Sequence, residues 1–268
     1  MPRLLAIGDN TVDVYVDAGM QYPGGNAVNV AVQARRMGAD AAYVGCIGND
    51  ARGRLVLDSL EAEAVDVSRV RIVPGANAHS RIGHRDGDRQ FLGSDPGVRG
   101  AWEFGPDGFG FAQSYDLVHT SVHSDIDAHL PALRPYARVL SYDYSVHWRR
   151  PGKAETLPLV DLAFFSCPEA SEEDVAAHLA WAVEAGAGLA VATRAERGAM
   201  ALESRTIHVQ PAVPTDPVDT LGAGDAFIAA FLLAWLAGGP APDCLLAGVA
   251  AGAAACATRG GFGHGQAL

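Results

Sequence analysis

Short apolar runs alternate along the chain with segments whose apolar residues recur at helical spacing. Leu4–Ile7 is a buried strand that ends at Gly8-Asp9. Gly24-Gly25 opens Asn26–Met37, where Val28, Val32 and Ala34 share a helical face. Ala42–Ile47 reads as the next strand and Arg52–Glu63 as the next helix. This βαβ rhythm implies a parallel sheet covered by helices. Val70–Leu92 interrupts it with short runs, partial alternation and a turn at Asp86-Gly87, the pattern of β-hairpins. The rhythm resumes with strands at Leu117–Thr120, Val139–Tyr142, Leu162–Ser166 and Leu189–Thr193, and a helix at Glu172–Ala185. Met200–Leu202 and Thr206–Val209 flank a turn and form a second hairpin, and two apolar helices follow, Ala226–Ala237 and Ala241–Thr258. The pattern predicts one α/β domain over residues 1–268, with hairpin elements outside the rhythm forming a small lid.

Composition narrows what such a domain does. The net charge of −11 argues against nucleic acid and anionic membrane as partners. An anionic ligand would therefore be held by local backbone dipoles and a metal rather than by the overall field. Lys153 is the one lysine, so no Gly-Lys-Ser/Thr phosphate loop exists. Its Arg-Arg-Pro-Gly-Lys setting reads as a solvated loop, which argues against Schiff-base chemistry. Cys46, Cys167, Cys244 and Cys256 share no metal-ligand spacing and sit among small or apolar neighbours, as buried free thiols of a reducing cytoplasm do. The amino-terminal apolar stretch is too short for a signal peptide, and Ala226–Gly239 and Leu245–Ala257 are too short for membrane spans.

Two glycine clusters carry the chemistry. Asp219-Thr220-Leu221-Gly222-Ala223-Gly224-Asp225 leads straight into an apolar helix. Helix starts have unpaired N–H groups and a positive dipole end, and residues without bulk let an anion reach them. Asp225 stands there as a carboxylate, and an anion cradle beside a carboxylate suits phosphoryl transfer. A tight turn with a capping Asp is the plainer alternative. Gly24-Gly25-Asn26-Ala27-Val28-Asn29 places two amides at another helix start, with Asp13 nearby. Amides and a carboxylate suit a polyhydroxylated ligand, whose hydroxyls both donate and accept; an ordinary capped helix is again the alternative. Ligands of open parallel sheets sit beyond the carboxyl ends of the strands. Asp9, Asp13, Gly24-Gly25, Ser166–Glu169, Thr193 and Gly222–Asp225 are all expected along that one edge.

Together the clusters resemble the two signatures of the ribokinase-like (PfkB) carbohydrate kinase family. The first is Gly24-Gly25-x-Ala27-x-Asn29-x-Ala31 with Gly38 and Gly48; the second is Asp219-Thr220-x-Gly222-Ala223-Gly224-Asp225 with Ala229-Ala230-Phe231. The resemblance implies a ribokinase-like doubly wound, mostly parallel sheet flanked by helices, with lid segments near 12–22 and 70–92. It implies Asp225 as catalytic base and Gly222, Ala223 and Gly224 as anion hole. Asp9, Asp13, Gly24, Gly25 and Asn29 then meet the sugar, and Ser166, Thr193, Gly198 and Asp219 meet the nucleotide. Glu169 tends Mg²⁺ through water, and small residues in Gly248–Gly261 lie against adenine. ATP and Mg²⁺ are the implied cofactors, with a monovalent cation left open. Ser166 replaces the family's asparagine and Ala195 a glycine, so the phosphate contact and the backbone of those loops differ from the pattern.

Within the family the amino-terminal third is most similar to the fructoselysine 6-kinase group, through Gly8-Asp9-Asn10-x-Val12-Asp13-x-Tyr15 and Gly24–Val32. This implies ATP-dependent phosphorylation of a primary hydroxyl of a sugar or fructosamine in the cytoplasm, by a homodimer paired through the lid. A kinase for another sugar or a nucleoside, and a catalytically silent sugar-binding protein, are the alternatives. Arg81, Arg85 and Arg89 on the lid are candidates for a substrate carboxylate, though a solvated face is the plainer reading of them. His119 and His123, at a strand end, are candidates for the pocket wall.

Overall fold

The computed structural model describes residues 1–85, 88–104, 108–147 and 155–268. Lys153 and the Asp86-Gly87 turn lie outside the described residues, as do the side chains of Arg85 and Arg89. In chain order the elements are β1 (Arg3–Ile7), β2 (Thr11–Tyr15), β3 (Met20–Gly24), α1 (Asn26–Arg36), β4 (Asp40–Val44), β5 (Cys46–Gly48), α2 (Ala51–Ala62), β6 (Arg71–Val73), β7 (His79–Arg85) and β8 (Asp88–Asp95). Then follow β9 (Leu117–Ser121), α3 (Leu130–Leu133), β10 (Leu140–Asp143), β11 (Leu162–Ser166), α4 (Glu172–Glu184), β12 (Leu189–Thr193), β13 (Ala199–Glu203), β14 (Thr206–Gln210), α5 (Ala223–Leu236), α6 (Ala241–Ala255) and β15 (Gln266–Ala267).

The main sheet has the order β14-β13-β12-β11-β10-β9-β1-β4. Its strands from β4 to β12 pair in parallel, and the hairpin β13–β14 closes one edge antiparallel. Successive side chains of a strand point to opposite faces, and β1 obeys this rule fully. Leu4 and Ala6 pack with α1, α2, α5 and α6, while Leu5 and Ile7 join the core that includes α4. Near-continuous apolar strands are thus the sequence signature of a sheet buried on both faces. The chain's order reverses at β1, which has β4 on one side and β9 on the other, and such a switch opens a crevice at the carboxyl ends.

A second sheet, β15-β3-β2-β7-β8, is the lid. It takes strands from both expected lid segments, 12–22 and 70–92, except that β6 lies outside it, and it adds a carboxy-terminal strand that apolar pattern gave no sign of; the hairpin read at Met200–Val209 belongs to the main sheet instead. Beyond shifts of one or two residues, three boundaries differ from the sequence reading. Ala42–Ile47 is two strands, broken at Gly45, where a Cβ would fall 1.9 Å from the Tyr43 phenol oxygen. Beyond that break β5 leaves the main sheet and pairs with β6. Helix α5 begins at Ala223, three residues earlier than its apolar run, and α6 ends at Ala255 rather than Thr258.

Candidate active site

Helix α1 starts at a glycine that offers no side-chain cap: Gly25 is its N-cap, with φ 109°. The cap comes from Asp9, just past β1. Its Oδ2 accepts from the Asn26 N–H at 2.8 Å and its Oδ1 from the Ala27 N–H at 3.4 Å. The hydroxyls of Ser121 and Ser124 donate to Oδ1 as well, each at 3.1 Å. Asp9 is buried, and both its oxygens are engaged by the protein. Sequence reading placed Asp9 on the sugar; its geometry is that of a remote cap spanning the β1–β9 crevice, which orients the start of α1.

Helix α5 is capped by no side chain either. Gly222 is its N-cap in the left-handed region, φ 80°. A Cβ there would lie 2.7 Å from the Gly261 Cα, so both conformation and space demand glycine. The Ala223 N–H bonds the Thr220 carbonyl at 3.4 Å, and the first α-helical bond runs from Ala226 to Gly222. Of the three residues expected to form the anion hole, Ala223 therefore spends its amide locally. The N–H groups of Gly224 and Asp225 have no partner within the helix. Gly224 is exposed, and no heavy atom lies within 4 Å of where its Cβ would be.

Packing of α5 on α1 sets the two helix starts against each other. Asn29 Nδ2 donates to Asp225 Oδ2 at 2.6 Å, and Asn26 Nδ2 donates to Asp225 Oδ1 at 2.8 Å. Residues three apart on a helix share a face, so the Asn26–Asn29 spacing delivers two amides to one carboxylate. Asn26 Nδ2 also donates to Asp143 Oδ2, at 2.9 Å, and Asp143 Oδ1 accepts from the Ser145 N–H. Burial pushes the Asp225 carboxyl well above the usual range. The Asn29 bond opposes that rise, Asp143 and Asp9 add to it, and the Asn26 bond counters it. Burial likewise raises Asp143 to about 6, with the Ser145 N–H and His123 opposing. Two carboxylates so placed are strong proton acceptors.

The side expected to meet the sugar begins at Asn29. Its Oδ1 is buried without a hydrogen-bond partner. The amide stands between Gly261, whose Cβ would come within 2.4 Å of Oδ1, and Gly24. A Cβ on Gly24 would meet Asp13 Oδ2 at 2.6 Å and Asn29 Oδ1 at 3.8 Å. The glycines thus leave room for Asp13 and for Asn29, which itself reaches Asp225. Gly25 lies against the Asn10 and Asp9 backbone, where a Cβ would approach within 2.7 Å. Asp225 also lines a cavity of about 190 Å³, together with Asp143, Ser166, Thr193, Gly222 and Gly224, among others. Ser166 and Thr193 face each other in register at the ends of β11 and β12.

The remaining expected residues lie further out. Glu169 is exposed and does not line that cavity. Gly198 holds a turn at φ 87°, and a Cβ would strike the Gln210 carbonyl at 2.0 Å, so its place is structural. Asp219 accepts from the Leu221 and Gly260 N–H groups and from the Tyr15 hydroxyl. Ala195, where the family pattern has glycine, adopts φ 50°, a conformation costly for a residue with a Cβ. Within Gly248–Gly261, Gly248 packs on Phe227 and Gly261 on Asn29. His119 is fully buried beneath Asn26 rather than in the pocket wall. Sequence reading did not single out Asp143, Ser121 or Ser124; their one signal was position, at or just after a predicted strand end.

The pfkB family carbohydrate kinase model matches residues 5–263. The chain is 36% identical to fructosamine kinase FrlD of Bacillus subtilis (strain 168), over 98% of this chain and 94% of that one. It is 32% identical to fructoselysine 6-kinase of Escherichia coli (strain K12), over 94% of this chain and 97% of that one. An Arabidopsis thaliana ribokinase solved with ribose and ATP superposes with a TM-score of 0.85 at 20% identity, covering 97% and 94%. Uncapped helix start, paired amides and glycine spacing thus coincide with a full-length family match: the chain belongs to the pfkB family of carbohydrate kinases and is an ATP-dependent sugar kinase.

Proposed function

We propose that the chain transfers the γ-phosphoryl group of ATP to the primary 6-hydroxyl of a fructosamine of the fructoselysine type. The observation that carries this reading is Asp225: a carboxyl of raised basicity at an open, uncapped helix start, held by Asn29, whose own Oδ1 is buried and unsatisfied. Such an acceptor invites a sugar hydroxyl. The relatives named for fructosamine and fructoselysine supply the substrate class.

Asn29 Oδ1 and Asp13 hold the sugar hydroxyls and direct the primary one at Asp225. Asp225 accepts its proton as the oxygen attacks phosphorus. The Gly224 and Asp225 N–H groups and the α5 dipole receive charge on the transferring phosphoryl group, with Gly222 shaping the turn. Ser166 and Thr193 line the phosphate cavity, and Asp219 fixes the loop that leads into it. Gly24 and Gly25 give the sugar close access to the backbone. Among the described residues no three His, Cys, Asp or Glu side chains converge on a metal-sized site. The hydroxyl and carboxylate oxygens of the cavity fit a magnesium ion, which would be held chiefly through water. Glu169 would steady it through water, and the ion would neutralise phosphate charge.

Among the described residues no helix is long and apolar enough to cross a membrane, and all four cysteines are free and buried, in keeping with a cytoplasmic enzyme. Phe91 and Leu92 are exposed on β8 of the lid, an edge suited to pairing with a second copy. ADP release with fructoselysine, fructose, ribose and a nucleoside as separate acceptors tests the assignment. Fructoselysine is expected to give the highest kcat/KM; preference for another acceptor overturns the substrate class, and no turnover with any overturns the kinase reading of the site.

A further inference from the structure

Asn26 makes more hydrogen bonds than a helix start needs. Its backbone N–H is taken by Asp9, and its Nδ2 serves Asp225 at 2.8 Å and Asp143 at 2.9 Å. An amide nitrogen has two hydrogens, so both are committed to carboxylates. The amide oxygen must then find a donor elsewhere, and it faces His119 Nε2 at 3.0 Å. The opposite ring nitrogen, Nδ1, lies 3.0 Å from Ser141 Oγ. His119 and Ser141 are fully buried on neighbouring strands β9 and β10.

We propose that His119 is a positioning residue for phosphoryl transfer: its Nε2–H locks the Asn26 amide so that both amide hydrogens point at Asp225 and Asp143. The proposal rests on Asp225 being the base. Each step follows from donor and acceptor counting. Burial drops the His119 pKa to about 3, so the ring is neutral at working pH and carries one N–H. Asn26 Oδ1 can only accept, so that hydrogen is on Nε2. Nδ1 is then an acceptor, and the Ser141 hydroxyl donates to it. With the amide turned over, its oxygen would face two carboxylates in a poorly solvated site. The groups around Asp225 make this orientation matter. Asp9 from the end of β1, Asp143 from β10 and Asp13 from β2 are acidic, whereas His123 beyond β9 is the nearby titratable base. A neutral donor at Asn26 thus tempers a cluster of like charges, and a neutral histidine holds that donor in place.

Variants of His119 separate this role from simple packing. In His119→Gln the amide nitrogen can reach the place of Nε2, whereas in His119→Asn the shorter amide reaches only the place of Nδ1. His119→Asn is expected to lower kcat about 10²-fold through a misplaced base. It should also move the acid limb of the kcat/KM profile up by about one pH unit, because Asp225 loses a donor to its charged form. His119→Gln is expected to restore the wild-type limb. If His119→Asn does not fold, Ser141→Ala, which frees the tautomer by removing one hydroxyl, should give a smaller shift in the same direction. A folded His119→Asn, or Ser141→Ala in its place, with an unmoved limb overturns the proposal. Nitrogen-15 NMR of the labelled ring is expected to show a neutral Nε2–H tautomer, and an Nδ1–H tautomer overturns it. Asp225→Asn keeps the two claims apart: full activity there removes the base, whereas its loss beside an unmoved limb in the histidine variant removes only the relay.

Discussion

The Tyr15 hydroxyl, on lid strand β2, donates to Oδ2 of Asp219 in the loop that enters α5. The Gly260 N–H bonds the same oxygen at 3.0 Å, and Oδ1 takes the Leu221 N–H. One carboxylate therefore couples the lid, the anion loop and the carboxy-terminal loop. Closure of a lid excludes water and completes a site, so this link should matter for turnover more than for folding. Tyr15→Phe is expected to lower kcat roughly threefold to tenfold while costing about 1 kcal/mol of stability, the net value of one hydrogen bond. Steady-state kinetics beside thermal unfolding measures both; a stability loss with unchanged kcat would make the link structural only.

Asp225→Asn should leave the α1–α5 contact in place, since Asn can still accept from one of the two amides that now reach Asp225. It cannot take a proton from the acceptor hydroxyl. Turnover is expected to fall about 10²–10⁴-fold, the usual worth of a positioned base. ATP affinity, measured by calorimetric titration, should change little, because the helix-start N–H groups are untouched.

The parallel strands of the sheet were readable because both their faces are buried, which makes apolar runs such as Leu162–Ser166 hard to mistake. The lid hairpins were readable as breaks in that rhythm. Asp225 and Asn29 were legible because their glycine neighbours have spacing dictated by backbone approach. Asp143, by contrast, is an ordinary strand-end residue until the fold brings it against Asn26, 117 positions away. Asp9 looked like a ligand because its neighbours are those of a sugar site, and local sequence does not reveal that Ser121, Ser124 and two α1 amides consume its oxygens. The start of α5 was displaced for the same kind of reason: Gly-Ala-Gly carries no apolar signal, although these residues enter the helix.

Gly222 and Gly224 differ by two positions and should respond oppositely to alanine. Gly222 holds φ 80° against Gly261. Gly222→Ala is expected to destabilise by about 1–3 kcal/mol, combining left-handed strain with a backbone clash, and to lose activity. Gly224 is helical and open, so Gly224→Ala should raise stability by up to about 1 kcal/mol. Its new methyl would stand in the lining of the cavity proposed to take the phosphates, and kcat/KM for ATP should fall about tenfold or more. Thermal unfolding and ATP titrations of the pair check this; a Gly224→Ala enzyme with unchanged ATP kinetics would place the phosphate elsewhere.

Asp143 gives a signature in stability against pH. Its carboxyl is raised to about 6 in the folded protein, chiefly by burial, against about 4 in an unfolded chain. The folded state therefore binds the proton more tightly. The stability this contributes is fully present below pH 4 and is lost as pH rises through 6. Two units correspond to roughly 2–3 kcal/mol. Asp143→Asn abolishes the titration. It also sets an amide nitrogen against the Asn26 or Ser145 donor, which costs a pH-independent amount. The slope is thus the test. The melting temperature of the ligand-free variant relative to wild type is expected to climb between pH 4.5 and 7 and to level off above. A difference that stays flat across that range would mean that Asp143 titrates normally and that Asn26 carries no strained pair of carboxylates.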